Sequence, residues 1–226
     1  DPEADNSPAT TQLSSGRTSS VRNVSPVRNA SPDRNSKETA SDRIFSPASE
    51  PVRLEQLWDL LRYNAAEIAQ DIVRDSGLEQ LKPRAADGIY IYGEHPVWVS
   101  PEIHLEPGLT FVTLEGPVFI GKGATIMAGS IVRGPAAICE GSVVKMGAKI
   151  YGNTTIGPVC KVGGEINSAI FPSYTNKAHE GYAGNSIFGQ WCNLGADTNT
   201  SNLKNNYQTV RFPDWFTGEE QDTGEL

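Results

Sequence analysis

Aliphatic residues recur at every sixth position through the centre of the chain, between residues 120 and 162. From the second repeat onward a small residue stands two positions before each aliphatic one, and a glycine, proline or asparagine follows three positions after most of them. The aliphatic positions are Ile120, Ile126, Val132, Ile138, Val144, Ile150, Ile156 and Val162. A period of six fits neither an α-helix nor a lone β-strand, and eight consecutive matches are too regular for chance. The pattern therefore predicts a stacked repeat architecture.

Each six-residue repeat can form one short strand and one turn, with the aliphatic side chain pointing inward. Three repeats close a triangular coil of about 18 residues, and successive coils stack as parallel strands about 4.8 Å apart. Val99, Leu105 and Phe111 extend the same period upstream. We therefore expect an all-β solenoid, a parallel β-helix of hexapeptide repeats over residues 97–165, with the repeat aliphatics buried. The flat faces and open ends of such a solenoid favour packing into a homotrimer.

A second apolar pattern precedes the repeats, where hydrophobic residues are spaced by three and four positions over residues 53–76. The positions are Leu54, Leu57, Trp58, Leu61, Ala65, Ile68 and Ile72. This spacing predicts one amphipathic α-helix, and Gly77 is well placed to end it. We expect its apolar stripe to dock on the N-terminal end of the β-helix, where it would cover unpaired strand edges.

Residues 1–50 are rich in serine, threonine and proline and contain a single aromatic residue, Phe45. Such a composition cannot bury enough apolar surface to offset chain entropy, so we expect a disordered segment. Arg22, Arg28 and Arg34 recur there every six residues, which we interpret as low complexity rather than a basic interaction tail. The predicted organisation is a disordered segment at 1–50, an amphipathic helix and linker at 51–80, and the repeat domain with its active-site loop at 90–226.

The 226 residues carry a formal net charge of −8, and the sequence pI is near 4.9. This acidic balance argues against a broad surface for nucleic acids or anionic membranes. No apolar run approaches the roughly 20 residues of a membrane span, and no secretory signal is visible. The three cysteines, Cys139, Cys160 and Cys192, are odd in number and widely spaced. This usage is typical of packed thiols in a reducing cytoplasm, where we expect the protein to reside.

Histidine offers few candidates for chemistry, because the chain has only three. We expect His95 and His104 to be surface residues, and the grouping that a zinc-dependent carbonic anhydrase needs is absent, so we expect no metal site. His179 lies where the period breaks, in a segment dense in asparagine, lysine and glycine. The amide and ammonium donors of that segment are Lys177, Asn193, Asn202, Lys204 and Asn205. They suit an anionic, hydroxyl-rich ligand, although an irregular polar loop with asparagine ladders explains the composition equally well.

Four stretches carry a more specific signal. They are WDLLRYN (58–64), CKVGGEI (160–166), NKAHEGY (176–182) and WCNLGADTNTSNLKNNY (191–207). In these stretches the chain resembles the acetyltransferase half of the bifunctional N-acetylglucosamine-1-phosphate uridyltransferase/glucosamine-1-phosphate acetyltransferase family, most closely the variant of Bacteroidetes-type bacteria. The resemblance implies a left-handed solenoid, a homotrimer, and acetyl transfer from acetyl-CoA to a sugar phosphate in UDP-N-acetylglucosamine synthesis.

The resemblance also implies roles for individual residues. His179 matches the catalytic base, which takes a proton from the sugar amine as the amine attacks the acetyl thioester. Ala196 matches a backbone contact to acetyl-CoA. The implied substrate-binding residues are Lys149, Tyr182, Asn193, Asn202 and Lys204. Lys149 is assigned to the sugar phosphate because it precedes Asn167 by the 18 residues of one coil, and the family usually has lysine where Asn167 stands.

The family's nucleotidyltransferase domain, with its glycine-rich loop, is not found in this sequence. The sequence also ends before the further coils that would hold the coenzyme, so we expect a fragment of a two-domain enzyme. Two alternatives stay open. The β-helix can serve only as a trimerisation or sugar-nucleotide-binding module, or the parent can be a nucleotidyltransferase whose chemistry belongs to the other half.

Overall fold

The computed structural model describes residues 52–75, 77–214 and 216–224. The predicted disorder of residues 1–50 lies outside these described residues. The helical elements are α1 (Asp59–Arg74) and a 3₁₀ turn (Ala85–Asp87). The first nine strands are β1 (Glu79–Gln80), β2 (Ile89–Tyr92), β3 (Val97–Val99), β4 (His104–Leu105), β5 (Leu109–Val112), β6 (Val118–Ile120), β7 (Thr125–Ile126), β8 (Ile131–Arg133) and β9 (Ala136–Ile138). The following strands are β10 (Val143–Val144), β11 (Lys149–Ile150), β12 (Thr154–Ile156), β13 (Lys161–Val162), β14 (Glu165–Phe171), β15 (Asn176–Lys177), β16 (Tyr182–Ile187), β17 (Arg211–Pro213) and β18 (Glu220–Asp222).

The strands wind into a parallel β-helix with three faces. The first face stacks β3, β6, β9 and β12, the second stacks β4, β7, β10, β13 and β15, and the third stacks β2, β5, β8 and β11. β14 and β16 each bend from the third face onto the first. The solenoid makes about six turns in the left-handed sense, which the resemblance implied against the general preference for right-handed crossovers. The predicted hexapeptide β-helix is confirmed.

The core is the column of aliphatic side chains that the six-residue period predicts. The repeat aliphatics are all buried: Ile120, Ile126, Val132, Ile138, Val144, Ile150, Ile156 and Val162. The small residues two positions before them are buried as well: Ala124, Ser130, Ala136, Ser142, Ala148, Thr154 and Cys160. Turn positions such as Gly123, Gly141 and Asn153 have positive φ, and glycine and asparagine tolerate this conformation best.

The regular period ends at Val162. A short turn at 163–164 leads directly to the third face, and Ile166 is the next fully buried side chain. A Cβ at position 163 would overlap the carbonyl oxygen of Ala178, and a Cβ at 164 would approach that of Gly181. The shortened turn therefore depends on glycine at both positions, and it changes the register of everything that follows.

The amphipathic segment forms a shorter helix than the predicted 53–76. The Asp59 carboxylate accepts the N–H groups of Glu55 and Gln56, each at 2.9 Å. These bonds hold the preceding residues in a turn, so the regular helix begins only at Asp59. Leu54 and Leu57, which the predicted stripe includes, are consequently exposed.

The helix also docks in a different place from the one predicted. It lies along the first face, where it contacts β9, β12, β14 and β16, and its apolar cluster reaches Phe119 of β6 and Trp98 of β3 on the same face. Ile68 and Ile72 pack with Ala137, while Trp58 meets Phe212 of the β17–β18 hairpin edge to face, with 6.5 Å between ring centroids. The N-terminal edge of the first face is extended instead by β1, which pairs antiparallel with β3.

No helix among the described residues is both long and apolar enough to span a membrane.

Asn64 ties the helix to the solenoid through a polar clamp. Its Nδ2 donates to the carbonyl oxygen of Asn153 at 2.9 Å, and its Oδ1 accepts from the Thr155 hydroxyl at 2.6 Å. Asn153 in turn donates a hydrogen bond from its own Nδ2 to the carbonyl oxygen of Leu61 at 2.9 Å. These bonds fix the position of α1 along the solenoid and its rotation about its own axis. The narrow apolar stripe alone would not fix either.

Asn64→Ala is expected to lower the free energy of unfolding by about 1–3 kcal/mol, because it strands a partly buried hydroxyl and a carbonyl without partners. Urea denaturation followed by circular dichroism measures the change. Asn205→Ala, at an exposed asparagine, is the matched control and is expected to stay within about 0.5 kcal/mol of the parent. Equal effects of the two substitutions would contradict the clamp.

Candidate functional site

His179 lies on an exposed turn between the second and third faces. β15 ends at Lys177 and β16 begins at Tyr182, so the turn consists of residues 178–181. The imidazole forms no hydrogen bond with any residue that the structure describes. The turn itself is anchored from the next coil, because the Asp197 N–H donates to the carbonyl oxygen of Glu180 at 3.0 Å. The corner thus presents a solvent-facing imidazole on a fixed backbone.

Tyr182 stands beside this turn, at the start of β16. Its backbone N–H donates to Asn199 Oδ1 at 2.7 Å, and its hydroxyl accepts from Asn167 Nδ2 at 3.4 Å. A Cβ at Gly184 would overlap the tyrosine hydroxyl, so the glycine allows the ring to lie along the strand. The ring therefore lies towards Gly184 and Asn167, on the strand that follows the His179 turn.

Asn193 and Ala196 belong to the coil that follows. Asn193 bridges to Asn176, and the two side chains are joined by a hydrogen bond of 2.7 Å from Asn176 Nδ2 to Asn193 Oδ1. Ala196 directly precedes Asp197, whose backbone reaches the His179 turn. The Ala196 N–H has no acceptor among the described residues, which leaves it available to a ligand. The structure therefore brings four predicted site residues to one corner of the β-helix.

Asn202 and Lys204 lie away from this corner. Asn202 Oδ1 accepts from Asn185 Nδ2 at 3.0 Å, and Asn202 lines a cavity of about 230 Å³ beside α1. The Lys204 ammonium donates to the carbonyl oxygen of Thr209 at 2.9 Å. The three residue steps of β16 from Tyr182 to Asn185 separate the two corners by roughly 10 Å, at about 3.3 Å per residue. Within one chain the structure does not bring these two residues to His179.

Lys149 is exposed on the third face, but its prediction assumed that 18 residues make one coil at this point, and that assumption is wrong. The register pairs Lys149 with Glu165 and not with Asn167, because the short turn at 163–164 removes residues from this coil. An 18-residue separation is therefore more than one coil here. Lys149 lies two strands from Tyr182, roughly 10 Å away, and its role as a phosphate ligand stays a prediction.

Lys177 does not face solvent with the other donors of its segment. The side chain is only 1% exposed and lies inside the solenoid. Burial lowers the pKa of its ammonium, and the carboxylates of Glu180 and Asp197 partly oppose this lowering. Lys177 therefore supports the site from inside the solenoid and is not one of the groups at its surface.

Two of the three thiols, those of Cys139 and Cys160, are poor candidates for nucleophiles. Burial raises the pKa of Cys139 to about 11, with a further contribution from Cys160. Burial also raises the pKa of Cys160, against a hydrogen bond from the Thr175 N–H. A thiol with a raised pKa contains little thiolate at neutral pH. His95 and His104 are exposed, as predicted, and the described residues contain no group of three or more potential metal-ligating side chains.

The sequence analysis missed two residues that support this corner, Asn176 and Asn199, and it did not predict that Lys177 is buried. Asn176 binds Asn193, Asn199 binds the backbone of Tyr182, and Lys177 is buried beneath the turn. The first two lie one coil from their partners, at separations of 17 residues. This spacing is visible in the sequence only once the register after Val162 is known.

Three curated proteins are similar to the chain, each named bifunctional protein GlmU. The one from Azoarcus sp. (strain BH72) is 28% identical over 185 residues, covering 72% of this chain and 38% of that protein. The one from Rippkaea orientalis is 22% identical over 175 residues, covering 67% and 39%, and the one from Thermodesulfovibrio yellowstonii is 27% identical over 154 residues, covering 58% and 34%. No family model matches the chain.

These similarities confirm the resemblance that the sequence motifs indicated. The closer likeness to the Bacteroidetes-type variant stays a prediction. The chain spans between 34% and 39% of the length of the relatives, so the similarity concerns only part of each bifunctional protein.

Proposed function

We propose that the chain is the acetyltransferase part of a cytoplasmic bifunctional enzyme that makes UDP-N-acetylglucosamine. It transfers acetyl from acetyl-CoA to the amino group of glucosamine-1-phosphate. The observation that carries this proposal is the shared corner, where an exposed imidazole on an anchored turn lies beside Tyr182, Asn193 and an unpaired backbone N–H. Similarity to curated bifunctional relatives supports the same reading.

In this proposal His179 is the general base. It takes a proton from the ammonium of the sugar, and the resulting amine attacks the carbonyl carbon of the thioester. A carbon–nitrogen bond forms and the carbon–sulfur bond breaks, while the second amine proton leaves with coenzyme A as its thiol. The Ala196 N–H stabilises the negative charge on the carbonyl oxygen. Tyr182 and Asn193 bind the sugar phosphate, and acyl transfer of this kind needs no metal.

A homotrimer completes the site. Asn202 and Lys204 lie at the other end of the third face from His179. In a three-fold assembly one subunit's corner with His179 faces the neighbour's corner with Asn202, so the cleft between subunits contains both. Lys149 on the same face supplies a positive charge for the phosphate.

The deciding experiment is an acetyl-transfer assay on the full-length parent. Acetyl-CoA and glucosamine-1-phosphate are expected to give coenzyme A thiol and the N-acetylated sugar, detected by a thiol reagent and by mass spectrometry. N-acetylglucosamine-1-phosphate, whose amine is blocked, is the control and is expected to release no thiol. Uridylyl transfer without acetyl transfer would leave the β-helix as a trimerisation or sugar-nucleotide-binding module.

Mixed trimers test the shared cleft. His179→Ala and Asn202→Ala are each expected to inactivate acetyl transfer when expressed alone. Co-expression is expected to restore one of the three sites in every mixed trimer, because a ring that contains both variants has a single cleft that joins an intact His179 to an intact Asn202. Restored activity is measured on mixed trimers isolated through two different tags. Mixed trimers that are as inactive as the two single-variant trimers would contradict a cleft between subunits.

A further inference from the structure

Lys177 occupies a position that the other coils give to aliphatic side chains. The register of the second face aligns it with an inward row of the preceding strands. The members of this row are Leu105, Ile126, Val144, Val162 and Lys177. A buried ammonium costs free energy that an aliphatic side chain does not. The lysine therefore does something at this position beyond filling volume.

The ammonium of Lys177 joins the backbones of two successive coils. Its Nζ donates to the carbonyl oxygen of Gly163 at 3.1 Å and to the carbonyl oxygen of His179 at 2.7 Å. The backbone contributes a third link, because the Gly163 N–H donates to the carbonyl oxygen of Lys177 at 2.8 Å. The turn that carries His179 is thus tied from inside the solenoid to the turn of the coil before it.

Burial lowers the pKa of this ammonium, and two carboxylates partly oppose this lowering. The carboxylates that act on it are those of Glu180, in the same turn, and Asp197, in the turn of the next coil. Neither forms an ion pair of contact distance with Lys177 among the described residues. Its bonds to two carbonyl oxygens are therefore the direct contacts that hold it.

We propose that Lys177 is a positioning residue, whose buried ammonium fixes the turn at 178–181 and so presents the His179 imidazole to the sugar amine. This inference rests on the proposed function for its catalytic consequence, but not for the structural anchoring. The imidazole has no hydrogen-bonding partner of its own among the described residues, so its location depends on the backbone beneath it. The bond from Lys177 Nζ to the carbonyl oxygen of His179 itself, at 2.7 Å, is shorter than the 3.0 Å bond from the Asp197 N–H to Glu180.

Lys177→Met in the full-length parent tests the proposal, because methionine keeps most of the volume and removes the donors. Replacing a buried charge by an apolar side chain of similar shape is often tolerated by the fold. We expect faster deuterium uptake at amides 178–182, a fall in kcat for acetyl transfer of about 10- to 100-fold, and a nearly unchanged KM. Lys122→Met, at an exposed lysine, is the matched control and is expected to change neither quantity.

The double variant separates positioning from general destabilisation. In a His179→Ala background, Lys177→Met is expected to cause no further loss of kcat, because it acts through the missing imidazole. An equal loss in both backgrounds, or unchanged deuterium uptake, would overturn the proposal. If the methionine variant does not fold, Lys177→Gln is used, whose shorter side chain cannot reach both carbonyls. The same rise in uptake and fall in kcat are then expected, and parental values would overturn the proposal.

Failure of the proposed function is distinguishable from failure of this inference. If the unsubstituted full-length protein transfers no acetyl group, the proposed function is wrong, and if His179→Ala leaves acetyl transfer intact, the assignment of the base is wrong. In both cases deuterium uptake still decides whether Lys177 anchors the turn. If His179→Ala abolishes acetyl transfer and Lys177→Met changes neither uptake nor kcat, only the positioning role is wrong.

Discussion

Replacing Ile138 by alanine is expected to destabilise the β-helix by about 2–5 kcal/mol. Ile138 is fully buried in β9, and the register stacks it between Ile120 of β6 and Ile156 of β12. The substitution leaves a cavity, because the neighbouring coils are joined by ladder hydrogen bonds and cannot close around the smaller side chain. Urea unfolding of parent and variant measures the difference in free energy, with the m value checking that both unfold alike.

Ile131→Ala is the matched control for this prediction. Ile131 lies in β8, one residue before the inward Val132, and its side chain is 44% exposed. Truncating it is expected to cost about 0.5 kcal/mol or less, since little packing is lost. If the two substitutions lower the free energy of unfolding equally little, the six-residue period does not identify the side chains that stabilise the core.

The repeat made most of the solenoid predictable, because each coil solves the same packing problem in the same way. An aliphatic residue every six positions can point inward only if the chain turns by one face per repeat. The structure departs from this at 163–164, where two glycines permit a turn that no residue with a Cβ fits. A pair of glycines does not reveal how many residues a turn contains. The register after Val162 could therefore not be predicted from the sequence.

The helix shows a different limit of the sequence. Its apolar spacing correctly indicated a helix with one buried side, and Ile68 and Ile72 lie on that side. The spacing does not state which surface covers the stripe. That choice depends on the bonds of Asn64 with Asn153 and Thr155, which join residues about 90 positions apart.

The candidate site was predicted in part for the same reason. Tyr182 follows His179 closely in the chain, while Asn193 and Ala196 reach the same corner from the next coil. Asn202 and Lys204 lie further along the chain and reach another corner. Lys177 was misjudged because lysine in a polar segment is usually a surface residue, and only the register reveals that its position points inward.

His179→Ala in the full-length parent is expected to lower kcat for acetyl transfer by about 10²–10⁴-fold while KM changes little. The substitution removes proton transfer and leaves the binding groups in place. His179 is exposed and its side chain forms no hydrogen bond with the described residues, so the loss does not reflect unfolding. Steady-state kinetics with glucosamine-1-phosphate measure both parameters, and circular dichroism verifies the fold.

Three comparisons make this result specific. His104→Ala removes another exposed histidine, in β4 of the second face, and is expected to leave kcat unchanged. Asn193→Ala is expected to raise KM more than it lowers kcat, because Asn193 lies where the sugar phosphate is proposed to bind. Uridylyl transfer is expected to survive His179→Ala, since that chemistry would use a separate site. If His179→Ala and His104→Ala behave alike, the imidazole at 179 is only part of an exposed loop, and the base must be sought elsewhere on the corner.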